Sequence, residues 1–135
     1  MLELNSTFVH EFSFSQEEVN QFAKVTGDNN PVHTDAAFAA NTMFKRPIMH
    51  GMLGAALFSK VFGTLFPGEG TIYLKQSLSF LKPMYVDVVY EAVFTVKEVI
   101  KERNRATVET LIKDKSTGIV CTSGEATVMN MSKIK

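Results

Sequence analysis

The 135-residue sequence is poor in cysteine and lacks tryptophan, with Cys121 as its one thiol. A lone cysteine excludes an intrachain disulfide, and it lacks the neighbouring ligands of a cysteine zinc site. The N-terminus also lacks the charged-then-apolar pattern of a signal peptide. We therefore expect a reduced, cytoplasmic protein.

An excess of charge of either sign is absent too, because fourteen Lys and Arg residues balance fourteen Asp and Glu residues. Neither sign forms a long block, which argues against a nucleic-acid or polybasic membrane binder. The most apolar stretch, residues 51–66, falls short of the roughly 20 apolar residues that a membrane-spanning helix needs. We predict a small-molecule ligand, with no nucleic-acid and no membrane partner.

The composition is that of a folded domain, since a 45% hydrophobic fraction is ample for a packed core. No linker rich in Pro, Gly or Ser divides the chain, and no internal repeat is visible. The sequence therefore predicts one domain spanning residues 1–135.

The first half of the chain favours helices. After a strand candidate at 7–14, Ser15-Gln16-Glu17-Glu18 has the form of a capping box, which predicts a helix ending near Gly27. Thr34-Asp35 can cap a short helix from Ala36 to Ala40, with Asn41 suited to its end. The segment from Asp28 to His33 is therefore predicted to be a loop between two helices.

The second half begins with a helix from Gly51 to Leu65 that is apolar nearly all round and must be enclosed by other structure. Beyond Gly70 the period becomes two, with Ile72, Leu74, Leu78 and Phe80 predicted to share an apolar face. Further alternating segments lie at 86–96, 106–112 and 120–128. The simplest architecture is an α+β fold, in which an antiparallel sheet curls around the apolar helix.

Two titratable residues stand five apart in a rigid setting, Thr26-Gly27-Asp28-Asn29-Asn30-Pro31-Val32-His33. A carboxylate and an imidazole held by such a loop can share one water molecule. Shortly afterwards, Met49-His50-Gly51 opens the apolar helix, where Gly51 can offer a bare backbone N–H to a developing oxyanion. Asp28, His33 and Gly51 thus suggest the addition of water to an activated carbonyl compound.

These segments resemble the MaoC-like, (R)-specific enoyl-CoA hydratases. The eight residues from Thr26 to His33 look like the hydratase-2 signature, and Arg46-Pro47-Ile48-Met49-His50-Gly51-Met52-Leu53 is similar to the short, single-domain bacterial members. The likeness extends through Leu57-Phe58-Ser59, 67–74 and 76–80, so it covers most of the chain. Gly27 stands where some members have an acidic residue.

The resemblance implies a hot-dog fold, in which a sheet wraps a long central helix. It also implies reversible addition of water to a trans-2-enoyl thioester, giving the (R)-3-hydroxyacyl thioester. Asp28 and His33 would hold the water, one taking its proton and the other supplying a proton to the alpha carbon; which residue acts first as the base stays open. Gly51 would donate its N–H to the thioester oxygen.

Other roles follow from the same resemblance or from position. Ser59 is expected to orient the site from about 12 Å further along the helix than Gly51. Asn30 is expected to shape the loop, and His50 to order the segment before the helix. Met43, Phe62 and Leu65 are candidates for an acyl pocket. Acyl-CoA is expected as the substrate, with no metal and no redox cofactor.

Three alternatives remain at this stage. One is a dehydratase of the same family acting on acyl-carrier-protein thioesters, and another is a non-catalytic acyl-thioester binding domain. The third, a thioesterase of the same fold, is disfavoured because those enzymes commonly carry a carboxylate on or beside the central helix. Residues 51–65 contain none. In each case we expect a homodimer joined edge to edge, which the resemblance implies and which would cover the exposed edge of a small sheet.

Overall fold

The computed structural model describes all 135 residues, Met1–Lys135. Six strands and four α-helices make up the fold, with the bounds β1 Thr7–Phe12, α1 Gln16–Thr26, α2 Pro31–Thr34, α3 Ala36–Ala40, α4 Gly51–Thr64, β2 Ile72–Gln76, β3 Ser79–Phe80, β4 Tyr90–Ile100, β5 Arg105–Asp114 and β6 Val120–Met129.

The strands form one antiparallel sheet in the order β1-β4-β5-β6-β2, and β3 pairs with the free half of β6. Helix α4 packs against the concave face of this sheet. A single core lies between them, with α4 contributing buried residues such as Phe58, Val61 and Phe62. An antiparallel sheet wrapped around a long central helix is the hot-dog fold, and the α+β prediction is confirmed.

The helix ends follow the local sequence rules. Ser15 caps α1 with both bonds of a capping box, and Gly27 ends it in the left-handed conformation, with φ of 79°. Asp35 caps α3, because its side chain accepts a hydrogen bond from the N–H of Phe38. Among the helices, α2 differs from the prediction, because it is a helical turn within the segment predicted to be a loop. Pro31 is its first residue.

The inward face of strand β2 differs from the predicted apolar face. Ile72 and Leu74 are 49% and 41% exposed, whereas Tyr73 packs against the core ring of Phe62. Gln76 lies inward, as the alternation predicts. A register shift between Tyr73 and Lys75 reverses which residues of the alternation face inward. Gln76 is tolerated inside because its amide donates to the hydroxyl of Thr110, at 2.9 Å.

The central helix is less enclosed in one chain than its composition predicts. Met52 is 59% exposed, and Ala56, Ser59 and Gly63 are exposed beside it. These four residues recur at the spacing of one helix face and are called the open stripe of α4 below. No helix in the fold combines the length and the apolar character needed to traverse a bilayer.

Candidate active site

The segment carrying Asp28 and His33 is shaped by its own side chains. Asn30 caps the α2 turn, with its Oδ1 atom accepting a hydrogen bond from the N–H of Val32 at 3.2 Å. Gln16 in α1 donates to the backbone carbonyl of His33 at 2.9 Å. The turn therefore sets the two titratable residues at opposite ends of a short, internally bonded segment.

The tautomer of the neutral His33 ring is set by a backbone group. Its Nδ1 atom lies 2.8 Å from the carbonyl oxygen of Ile48, and a carbonyl oxygen can only accept. Nδ1 therefore carries the proton of the neutral ring. Nε2 is left with a lone pair, which makes it available as a proton acceptor.

Asp28, His33 and Gly51 line one cavity of about 530 Å³. The Asp28 side chain is exposed and His33 is half-buried, so water can reach both. Most of the other lining residues are apolar; they include Met43, Phe44, Ile48, Met49, Met52, Phe80, Leu81 and Met84. Two proton acceptors thus lie in a mostly apolar cavity, which is the setting that general acid–base chemistry requires.

Gly51 is the first residue of α4, after the N-cap His50. Its N–H donates no hydrogen bond within the chain, as expected for the first turn of a helix. The Phe80 ring lies directly over it, since a Cβ built on Gly51 would be 2.6 Å from two ring carbons. Glycine at this position therefore leaves room for Phe80 and keeps the N–H accessible to the cavity.

His50 contacts both titratable residues from the helix start. It is 2% exposed, its Nε2 atom lies 3.1 Å from the backbone carbonyl oxygen of Asp28, and its ring stacks on His33 with centroids 3.8 Å apart. Burial lowers the pKa of His50, and the hydrogen bond to Asp28 opposes that shift. The sequence predicted only that His50 orders its neighbourhood, and these tertiary contacts were missed.

Asp28, His33 and His50 could be considered as metal ligands, because their donor atoms all lie within 4.8 Å of one another. His50 Nε2, however, donates a hydrogen bond to a carbonyl oxygen, and the lone pair of the ring is on Nδ1, which is buried away from solvent. The Asp28 carboxylate and His33 Nε2 are the two potential ligand atoms that solvent can reach. Protein zinc sites typically use three or four protein ligands, so this donor set fits proton transfer better than metal binding.

The remaining predicted residues do not all lie in one cavity. Met43 lines the cavity with Asp28, as expected for an acyl-pocket residue. Ser59 lines a second cavity of about 580 Å³ between α4 and β2, and Met52 borders both cavities. Ser59 therefore does not contact the Asp28–His33 pair in this chain.

Phe62 and Leu65, the other two residues predicted to line an acyl pocket, line neither of these cavities. Phe62 is 1% exposed and packs against Tyr73 and Phe94, with ring centroids 5.2 Å away in both cases. Leu65 is 46% exposed beyond the end of the helix. At 1.5 Å per residue, the two lie about 16 and 21 Å along the helix from Gly51, too far to share its cavity.

The segment from Phe80 to Met84 forms one wall of the active-site cavity and was also missed. Lys82-Pro83 carried a turn signal, which indicates a loop but not where that loop packs. Lys82 brings a positive charge to the cavity. Arg46 stands in the sequence between the lining residues Phe44 and Ile48, with its guanidinium 4.1 Å from the centre of the Tyr85 ring. Neither cation has a carboxylate partner.

Comparison with known proteins identifies the class. The family model described as MaoC like domain matches residues 4–118. The chain is 45% identical to an (R)-specific enoyl-CoA hydratase from Aeromonas caviae over 115 residues, which cover 85% of each protein. It is 41% identical to a 3-hydroxybutyryl-CoA dehydratase from Methylorubrum extorquens, over 78% of this chain and 67% of that one.

A solved structure agrees with these relatives. The (R)-hydratase from A. caviae involved in PHA biosynthesis superimposes with a TM-score of 0.91 and 42% identity, covering 96% of this chain and 97% of that one. The chain belongs to the MaoC-like domain family. The resemblance stated from its sequence motifs is confirmed, and the relatives are named as hydratases and dehydratases, which are hydro-lyases.

Proposed function

We propose that the protein is an (R)-specific enoyl-CoA hydratase, which adds water reversibly to a trans-2-enoyl-CoA to give the (R)-3-hydroxyacyl-CoA. The observation that carries this proposal is one cavity holding the Asp28 carboxylate, the free Nε2 of His33 and the unpaired N–H of Gly51. The two relatives named for opposite directions of this chemistry support it.

The residues supply each proton and charge of the reaction. A water held between Asp28 and His33 loses a proton to one of them as its oxygen bonds to the beta carbon. The electron pair of the double bond moves toward the carbonyl and gives an enolate. The enolate oxygen accepts a hydrogen bond from the N–H of Gly51. The alpha carbon then takes a proton from the pair, which completes the addition of one water.

Two effects of different kind contribute to the rate. General acid–base help is typically worth about 10² to 10⁴. An oxyanion donor such as the Gly51 N–H adds about 3 to 4 kcal/mol of transition-state stabilisation, and the dipole of α4 points the same way. Together these effects fit a thioester substrate, whose oxygen gains negative charge as the enolate forms.

The carrier of the acyl group is CoA in this proposal. Lys82 at the cavity and Arg46 are cations without carboxylate partners, and they suit the phosphates of a nucleotide carrier. Five other basic residues lie in β4, β5 and the turn between them, and they do not line this cavity: Lys97, Lys101, Arg103, Arg105 and Lys113. Short to medium acyl chains are proposed. No metal or redox cofactor takes part in these steps.

We also propose a homodimer and a cytoplasmic location. The open stripe of α4 offers Ala56, Ser59 and Gly63, small residues that allow close approach of a second copy. Strand β2 is a sheet edge with exposed Ile72 and Leu74, so edge pairing would cover both features. The free, buried Cys121 supports a reducing compartment.

The function is tested with crotonyl-CoA, by following the loss of its conjugated-thioester absorbance. Wild-type protein should consume it rapidly, and Asp28→Asn should be slower by about 10² or more, since it removes an acid–base group. Asp87→Asn is the matched control, because Asp87 is also exposed but lies outside the cavity. If folded wild-type protein fails on crotonyl-CoA, on longer enoyl-CoAs and on carrier-protein thioesters, the enzymatic proposal is wrong and the binding-domain alternative gains.

A further inference from the structure

His50 ties the Asp28 end of the catalytic loop to the rest of the fold, whereas the His33 end is held by Gln16 and Ile48. The Asp28 carbonyl oxygen receives a hydrogen bond from His50 Nε2 across 22 residues of sequence. The other hydrogen bonds made by residues 28–30 all reach partners no more than three residues away. Without His50, no hydrogen bond would join residues 28–30 directly to a distant part of the chain.

The same imidazole also restrains His33. The two rings stack with centroids 3.8 Å apart and an interplanar angle of 28°. On another side, Phe22 of α1 meets the His50 ring edge to face at 4.9 Å. His50 is thus held between α1 and the site, and His33 cannot tilt toward α4 without displacing it.

One protonation state of His50 fits these contacts. Nε2 must carry a proton, because its partner is a carbonyl oxygen. Nδ1 is buried and has no hydrogen-bond partner, so a second proton there would be a buried donor without an acceptor. The ring is therefore the neutral Nε2–H tautomer, with the Asp28 carboxylate and the His33 ring as the titratable groups that face it.

We propose that His50 is a positioning residue for the hydration reaction, which fixes Asp28 and His33 relative to the N–H of Gly51. The residue is covalently joined to Gly51, hydrogen-bonded to Asp28 and stacked on His33, so one side chain sets the geometry among all three. Misplacing reacting groups by about 1 Å can cost 10²-fold in rate. This inference depends on the proposed hydratase function.

Two substitutions separate its contacts. His50→Phe keeps an aromatic ring against His33 but deletes the donor to Asp28. His50→Gln keeps an amide nitrogen close to the position of Nε2 but deletes the ring. The control is His10→Gln, because His10 lies in β1 next to Lys60 and does not line the active-site cavity.

The measurement is kcat and KM for crotonyl-CoA hydration, together with the thermal midpoint of each variant. We expect His50→Phe to lower kcat by about 10- to 100-fold while KM stays within twofold. His50→Gln should recover at least part of that loss, and His10→Gln should match wild type. Wild-type kcat in a folded His50→Phe protein, a Gln variant no better than Phe, or a loss confined to KM would each overturn the positioning role.

A second measurement does not depend on the variants folding. The chain has three histidines, so ¹⁵N spectra of the histidine-labelled wild-type protein can distinguish their tautomers. Neutral His50 protonated at Nε2 at pH 7 supports the proposal, and an imidazolium or an Nδ1–H tautomer overturns it. An inactive wild-type protein would contradict the hydratase function itself, whereas an active one with unaffected His50 variants would contradict this inference alone.

Discussion

His33 and Ile48 are joined by a hydrogen bond of 2.8 Å between the imidazole Nδ1 and a backbone carbonyl oxygen. Because Ile48 belongs to the segment leading into α4, this bond fixes the orientation of the ring from outside the catalytic loop. The consequence is chemical: Nε2 is the nitrogen left free to accept a proton, and the two ring nitrogens have separate tasks.

Replacing His33 by asparagine tests this division. The side-chain amide of asparagine can occupy the place of Nδ1 and still donate to Ile48, but it has nothing at the place of Nε2. We expect His33→Asn to fold with a thermal midpoint close to wild type and to lose about 10² or more in kcat/KM with crotonyl-CoA. Activity within tenfold of wild type would show that Nε2 is not an essential proton acceptor.

The oxyanion role of Gly51 can be tested by removing its N–H. Proline is tolerated at the first position of a helix, and the backbone of His50, at φ −59° and ψ 132°, suits a residue before proline. Gly51→Pro should lower kcat by about 10² to 10³ relative to Gly51→Ala, which also crowds Phe80 but keeps the donor. Equal kcat values for the two variants would remove Gly51 from the mechanism.

The open stripe of α4 predicts the oligomeric state. Sedimentation equilibrium should give twice the 15.0 kDa of one chain for the wild-type protein. Ala56→Arg should shift the mass toward one chain, because it places a charge in the middle of the stripe. Val25→Arg is the control, since Val25 is 86% exposed on α1, outside the stripe. A monomeric wild-type protein would contradict the proposed dimer.

Stability should fall below neutral pH because of two histidines. Burial lowers the pKa of His50 from its ordinary value of 6.5, and burial together with Lys60 lowers that of His10. The unfolded chain therefore binds more protons than the folded one, so the free energy of unfolding is lost as pH falls through 6.5 toward the lower folded values. In urea titrations between pH 7.5 and 5.5, His50→Gln should lose less stability than wild type. An unchanged or steeper loss would contradict a neutral, buried His50.

Much of the fold could be predicted because local rules decide it. The capping box at Ser15, the left-handed Gly27 and the Asp35 cap each depend on residues within a single turn, and the helix bounds follow. The prediction that Ile72 and Leu74 of β2 face inward was wrong. The register shift after Tyr73 arises from pairing with β6, a partner distant in sequence. Periodicity alone cannot reveal such a shift.

In the candidate active site, too, residues in local motifs could be predicted, whereas contacts that depend on tertiary packing could not. Asp28, His33 and Gly51 were found from one motif and one helix start, and the fold brings them to a common cavity. Phe62 lies in the core instead, because an apolar helix residue has the same sequence signature in a core as in a pocket. The stacking of His50 on His33 and the cover of Phe80 over Gly51 depend on tertiary packing, which no local pattern encodes.

The most direct measurement is the configuration of the product formed from crotonyl-CoA, determined by chiral analysis for the wild-type protein and for Asp28→Asn. We expect (R)-3-hydroxybutyryl-CoA from the wild type and a rate at least about 10² lower from the variant. An (S) product, or an (R) product formed equally fast without the Asp28 carboxylate, would contradict it.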